Sequence, residues 1–247
     1  MSGKLVVIGF GPGSKDDMTL RAVKAIEDAD IITGFTTYIK LLQEFFPDKE
    51  YKSTGMTKEV DRCRMAVEEA TKGKNVALVS SGDSGIYGMA GIAYQVADEM
   101  DAEIDIEVIP GITAASSAAA ILGAPLTHDT ALISLSNRLT PWELIEKRLD
   151  AAAASDMVIA LYNPKSHGRP DLIEKAFRIM GRHKDPNTVV GVVRNIGRKD
   201  QDSWISSMKD FDFSRIDMFC TVVIGNSKTY ALDGKMITPR GYEIGGE

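Results

Sequence analysis

From Val79 to Gly88 the chain reads Val-Ser-Ser-Gly-Asp-Ser-Gly-Ile-Tyr-Gly. One carboxylate, Asp83, stands among three short hydroxyls, Ser80, Ser81 and Ser84, and three glycines, Gly82, Gly85 and Gly88. These residue types bind rather than attack. Glycine lets backbone approach a ligand closely, the serines donate and accept, and Asp83 places one carboxylate beside them. The apolar run Val76 to Val79 predicts a buried strand before this stretch, and helical apolar spacing from Ile86 to Met100 predicts a helix after it. A polar, glycine-rich turn at the carboxyl end of a strand is where open α/β sheets hold ligands. The same residues also compose an ordinary strand-to-helix loop with a capping Asp.

A second glycine turn, Gly9-Phe10-Gly11-Pro12-Gly13, follows the apolar run from Lys4 to Gly9. Strand, glycine turn and helix are the parts of a dinucleotide site. The fingerprint fails, however: Ser14 stands where the third glycine belongs, Pro12 lacks an N–H for phosphate, and no acidic residue closes the second strand at Ile31-Ile32-Thr33-Gly34. A nicotinamide-linked oxidoreductase is therefore disfavoured. A third junction, Pro110-Gly111-Ile112-Thr113-Ala114-Ala115, is built from small side chains that suit either close helix packing or a ligand lying across a helix start.

Proton-transfer and charge-pairing candidates are few. His128, beside Asp129 at the domain junction, is the candidate acid or base, because imidazole is the side-chain type suited to proton transfer; a structural histidine hydrogen-bonded at a helix end is the equal alternative. Lys58, Arg62, Arg64, Arg138 and Lys165 lie in or beside the motif segments and are candidate partners for substrate carboxylates, although exposed cations are usually just solvated. His128, His167 and His183 have no metal-ligand spacing, and Cys63 and Cys220 form no CxxC, so neither a metal site nor a disulfide framework is expected.

The elements that position these groups follow from periodicity. The first half predicts strands at 4–9, 31–34, 76–79 and 104–109. It predicts helices at about 16–28, 35–46, 57–71 and 86–100, and a further helix opening at the Pro110 junction and stopped by Gly123-Ala124-Pro125. The pattern then restarts. Strands are predicted at 131–135, 157–162, 188–193 and 217–224. A helix to about Ala154 opens on the capping box Thr140-Pro141-Trp142-Glu143, another spans 170–180, and a hairpin over 230–237 turns at Asp233-Gly234. Alternating strands and helices predict α/β architecture with mostly parallel sheets, in two domains, 1–124 and 125–247.

The 247 residues, 44% hydrophobic and 26% charged, suffice for two packed cores, and a net charge of −6 argues against a nucleic-acid surface but not against an anionic small substrate. No apolar run approaches the ~18 residues of a membrane span, and no signal peptide is expected, which fits a cytoplasmic protein.

GFGPG (9–13), SSGDSGIYG (80–88) and PGITAASSAAAILGAPL (110–126), in that order, resemble the tetrapyrrole (precorrin) methylases of the cobalamin pathway. ISLSNRLTPWELIEKRLDAAAASDMVIALYNPKS (133–166), with GMTKEVDRCRMA (55–66), resembles the branch that methylates C17 of precorrin-3B or its cobalt-containing counterpart, cobalt-factor III. The resemblance covers about residues 4–230. Sibling methylases acting at C11 or C20 are the near alternative.

The resemblance implies a homodimer of two-domain chains, with S-adenosylmethionine (SAM) held in the cleft between the domains and released as S-adenosylhomocysteine. The tetrapyrrole would lie over the N-terminal domain, and methylation would be coupled to ring contraction. Carried over by motif, Pro12, Ser81, Gly82, Asp83, Ile86, Thr113 and Ala114 would contact SAM, with Tyr162, Arg194 and Asn195 as looser assignments. His128 would serve ring contraction, and the five cations would meet acetate and propionate groups.

Overall fold

The computed structural model describes residues 3–166 and 168–243; His167 lies outside the described residues. The chain forms two compact units, residues 1–114 and 115–247.

In the first unit, β1 (Lys4–Gly9), α1 (Leu20–Glu27), β2 (Ile31–Phe35), α2 (Thr36–Phe45), β3 (Glu50–Thr54), α3 (Glu59–Thr71), β4 (Asn75–Ser80), α4 (Ala90–Glu99) and β5 (Asp105–Ile109) build an α/β unit. The five strands lie in the order β3-β2-β4-β1-β5, and every pairing is parallel. Alternation within β1 explains why both faces are covered. Leu5 and Val7 enter the cluster with Val67 of α3 and Ala93 of α4, whereas Val6 and Ile8 enter the cluster with Ile26 of α1 and Leu42 of α2. Each fully buried side chain of this size contributes about 1.5–3 kcal/mol over leaving it in water.

Two helix starts differ from the expected ones, for local reasons. Residues 15–17 form a short 3-10 turn, and α1 begins only at Leu20, because Ser14 Oγ caps the turn and Thr19 Oγ1 accepts the Ala22 N–H at 3.0 Å to cap the helix. The fourth helix begins at Ala90 rather than Ile86. Tyr87 adopts a left-handed φ of 55°, and the Ala90 N–H turns back to Ser84 O at 3.0 Å. Strand β3 was not expected; its sequence, Glu-Tyr-Lys-Ser-Thr, lacks an apolar run because it is an edge strand.

The second unit contains α5 (Ala114–Leu122, entering from the boundary), β6 (Gly123–Ala124), β7 (Thr130–Ser134), α6 (Trp142–Ala154), β8 (Val158–Tyr162), α7 (Leu172–Met180), β9 (Val189–Arg194), β10 (Asp202–Ser207), β11 (Cys220–Ile224), β12 (Tyr230–Leu232) and β13 (Lys235–Ile237). Its main sheet runs β10-β9-β11-β8-β7, and only β7–β8 is parallel. The expectation of mostly parallel sheets thus holds for the first unit, whereas this sheet is mixed. After β9 no α-helix intervenes before β11: β10 folds back antiparallel on one side of β9, and the chain then passes β9 to add β11 antiparallel on its other side.

The hairpin β12–β13 turns at Asp233 (φ 49°) and Gly234 (φ 73°), and β13 also pairs with the two-residue β6. That pairing, with Leu122 packed on Gly191, keeps α5 in the second unit, so the division falls ten residues ahead of the one expected at 124. At the start of α6 the N-cap is Pro141 rather than Thr140, with no side-chain capping bond.

Candidate functional site

Parallel pairing brings the carboxyl ends of β1, β4 and β5 to one edge of the first sheet, with β1 in the middle. The three loops leaving that edge are the three motif stretches. The loops after β1 and β4 are joined by paired backbone bonds, Gly82 N–H to Gly11 O at 2.7 Å and Gly11 N–H to Gly82 O at 3.1 Å. Ser81 Oγ adds a weaker contact to Gly11 O at 3.4 Å. Asp83 ties in the third loop: Oδ1 accepts the Gly85 N–H at 2.8 Å and Oδ2 accepts the Gly111 N–H at 3.0 Å.

The approach is close enough to require glycine. A Cβ on Gly111 would stand 2.2 Å from Gly82 O, and one on Gly9 would stand 2.7 Å from the same atom. Gly82 is needed for another reason, its φ of +70°, since a Cβ there would meet nothing nearer than 3.7 Å. Ser80 Oγ and Ser84 Oγ are buried here without a hydrogen-bond partner.

Of the expected cofactor residues, Pro12, Ser81, Gly82, Asp83, Ile86, Thr113 and Ala114 therefore sit on these three interlocked loops. Ile86 N–H closes a turn on Asp83 O at 3.3 Å. Asp83 is thus a turn cap, as one of the two sequence readings has it.

Tyr162, Arg194 and Asn195 share an edge of the second unit's sheet. β8 and β9 both pair antiparallel with the intervening β11, so they run parallel to each other and their carboxyl ends coincide. Tyr162 Oη accepts the Ala115 N–H at 3.0 Å, supporting the first turn of α5. Arg194 pairs with Asp217 at 2.9 Å, and Asn195 adopts a left-handed φ of 53° with its N–H on Phe219 O.

The candidate cations divide. Lys58 is exposed and pairs with Asp61 at 3.0 Å, and Arg64 pairs with Glu99 at 3.3 Å. Arg138 is exposed in the loop after β7, on the same edge as Tyr162, and Lys165 Nζ donates to Phe213 O at 3.0 Å. Arg62, expected to face substrate, is instead buried: at 4% exposure its guanidinium is turned inward, and burial lowers its pKa.

His128 lies ahead of β7, at the amino edge, opposite Tyr162 in the parallel β7–β8 pair. Its Nδ1 accepts the Asp129 N–H at 2.9 Å, which leaves Nε2 to carry the proton of the neutral ring. Burial pushes the Cys63 thiol up to about 12 and Cys220 up to about 11, so neither offers a thiolate nucleophile near neutrality.

A groove of about 280 Å³ lined by Lys4, Arg21, Lys24, Asp28, Asn75 and Glu107 opens at the amino end of the first sheet, where Lys4 and Arg21 both pair with Glu107. Among the described residues no three His, Cys, Asp or Glu side chains converge to hold a metal, and no helix is long and apolar enough to cross a membrane.

A parallel α/β unit with three glycine loops interlocked at its carboxyl edge defines an enzyme class that cradles a small polar cofactor on backbone. Comparison makes this specific: the chain belongs to the Tetrapyrrole (Corrin/Porphyrin) Methylases, whose family model matches residues 4–212. It is 48% identical over 97% of its length, and the whole of the relative, to a Salmonella typhimurium protein named "Probable cobalt-factor III C(17)-methyltransferase". It is 49% identical over 98% of its length to the "Cobalt-factor III methyltransferase" of Priestia megaterium, of which it spans 46%.

Among solved structures, the methyltransferase CobJ superposes with a TM-score of 0.91 at 33% identity, covering 96% of this chain and all of that one. Uroporphyrin-III C-methyl transferase from Thermus thermophilus, complexed with S-adenyl homocysteine, shares the fold at a TM-score of 0.68 and 18% identity, covering 90% and 92% of the two chains.

Proposed function

We propose that this chain is a SAM-dependent C-methyltransferase of corrin biosynthesis that methylates C17 of cobalt-factor III or precorrin-3B, with contraction of the macrocycle. The observation that carries the reading is the interlocking of the three motif loops through Asp83 and the Gly11–Gly82 pair. The relatives named for C17 methylation, similar over nearly the whole chain, favour this carbon over C11 or C20.

The residues present fit SAM. Glycine backbone, the Ser81 hydroxyl and the Asp83 carboxylate match its ribose hydroxyls and ammonium, and unpartnered Ser80 and Ser84 hydroxyls lie in the same loop. When bound, SAM supplies an electrophilic methyl on a sulfonium. The protein's work is then to orient and to exclude water, and effective concentration supplies much of the acceleration in such a transfer. Pro12, Ile86, Thr113 and Ala114 are assigned to cofactor contact from the first unit. The carboxyl edge bearing Tyr162, Arg194 and Asn195 is the face of the second unit assigned to the same ligand.

Lys58, Arg64, Arg138 and Lys165 are assigned to substrate carboxylates. His128, with Nδ1 fixed and its ring 42% exposed, is assigned to proton transfer in ring contraction. A homodimer in the cytoplasm completes the proposal, with the dimer checked by sedimentation.

Calorimetric titration with S-adenosylhomocysteine, with NAD as control, tests the cofactor. Micromolar binding of the first and none of the second is expected. Mass spectrometry of turnover with metal-free and cobalt-containing tetrapyrroles then identifies the substrate. Absence of S-adenosylhomocysteine binding by folded protein would overturn the cofactor assignment.

A further inference from the structure

Arg62, in the first turn of α3, is 4% exposed and makes no ion pair with a carboxylate among the described residues. Nη2 donates to Gly55 O at 3.1 Å, Nη1 donates to Met89 Sδ at 3.5 Å, and the guanidinium stands 5.7 Å from the centroid of the Phe35 ring. Nε has no hydrogen-bond partner. A buried cation that makes no ion pair is unfavourable, and the Glu59 carboxylate in the same turn offsets only part of the burial that lowers its pKa. A helix needs none at this position, since Met or Leu would fill the space with the same propensity and less desolvation.

The three contacts come from three strand ends at one edge of the sheet. Phe35 closes β2, Gly55 follows β3, and Met89 ends the loop after β4. Two of these turns hold non-glycine residues in the left-handed region, Thr57 at φ 68° and Tyr87 at φ 55°. A β-branched residue there is a genuine outlier, and such strain persists only where the surroundings over-determine it. Both turns also present apolar side chains outward: Met56 is 51% exposed and Tyr87 56%. Lys58 stands beside the first of them.

We propose that Arg62 is a positioning residue, a buried clamp that holds the Gly55–Lys58 turn and the Tyr87–Met89 turn as one rigid rim on which the flat, carboxylate-bearing substrate is seated. Arg62 itself does not touch substrate. The substrate class rests on the function proposed above; the clamp rests on the geometry of the two turns. The guanidinium suits the task because its planar fork reaches two turns at once, which an ammonium cannot do.

The test compares wild type with Arg62→Met and Arg62→Lys. In Arg62→Met, amide hydrogen exchange is expected to quicken at least tenfold in residues 55–58 and 86–89 and to stay unchanged in 9–13 and 110–113, with S-adenosylhomocysteine affinity within threefold of wild type. KM for the tetrapyrrole is expected to rise at least tenfold while kcat falls less, and Arg62→Lys is expected to lie between. If Arg62→Met does not fold, Arg62→Lys carries the same comparison. Unchanged exchange at both turns, or KM and cofactor dissociation rising together with general loss of protection, would overturn the clamp. If wild type neither binds S-adenosylhomocysteine nor methylates, the proposed function fails, and the exchange pattern alone still decides the clamp.

Discussion

Asp83 Oδ2 accepts the Gly111 N–H at 3.0 Å, joining the loop after β4 to the loop after β5 across the end of β1. The other oxygen closes the Asp83 turn on Gly85. Removing the carboxylate leaves two backbone donors to find other partners, at about 1–3 kcal/mol for each that stays buried. Asp83→Ala is therefore expected to weaken S-adenosylhomocysteine binding at least tenfold, ~1.4 kcal/mol. Asp83→Asn, which keeps one accepting oxygen, is expected to fall between. Calorimetry checks both; wild-type affinity in both variants would show that the loops hold without the carboxylate.

Gly111 and Gly82 separate close approach from backbone conformation. Gly111→Ala drives a Cβ to 2.2 Å from a backbone oxygen that cannot swing away, so overpacking of about 2–3 kcal/mol is expected. Gly82→Ala makes ordinary contacts, the nearest at 3.7 Å, but inherits φ +70°, which costs about 1–2 kcal/mol. Thermal unfolding should rank Gly111→Ala below Gly82→Ala, and both below wild type. The reverse order would mean that the loops can part.

Glu69, buried at the end of α3, receives Lys72, Lys52 and Lys74 within 2.9 Å. Hydrogen bonds from these lysines hold its carboxyl well below the usual carboxylate range. The unfolded chain then takes up this proton first on acidification. The stabilisation is fully present above the unfolded value of about 4.3 and is lost as pH falls through the lower folded value. Glu69→Gln is expected to lower the urea midpoint at pH 7 and to differ less from wild type near pH 3. An equal difference at both pH values would remove the ion cluster from the account.

The first unit was largely legible in the sequence, because its strands are buried on both faces and read as continuous apolar runs, as Leu5 to Ile8 does. The same rule hid β3 and β10. Both are edge strands, and Glu50 to Thr54 or Asp202 to Ser207 carry too little apolar pattern to be seen. The three glycine loops were legible as turns at strand ends, since each follows an apolar run and is rich in Gly and Ser or Ala.

Arg62 was legible as a cation but not as a buried one. Helical spacing puts it beside Cys63 and Ala66, yet only the tertiary contacts with Gly55 and Met89 show which way its guanidinium turns. Lys184, also buried, gave no signal for the same reason. Its Nζ donates to Met157 O and Gly225 O, partners distant in the chain.

His128 separates binding from later chemistry. It lies at the amino edge of β7, whereas Tyr162, Arg194 and Asn195 lie at the carboxyl edge of that sheet. Its substitution should leave that carboxyl edge intact. In the neutral ring Nδ1 accepts the Asp129 N–H and Nε2–H is left to donate, so the ring takes up a proton by giving up the Asp129 bond. His128→Ala is therefore expected to bind S-adenosylhomocysteine within twofold of wild type and to form ring-contracted product at least tenfold more slowly, the size of a general acid–base contribution at its low end. Product analysis by mass spectrometry beside calorimetry reads both quantities. Normal product formation would leave His128 as the residue that closes the turn into β7, and the proton would then have to come from another group or from solvent.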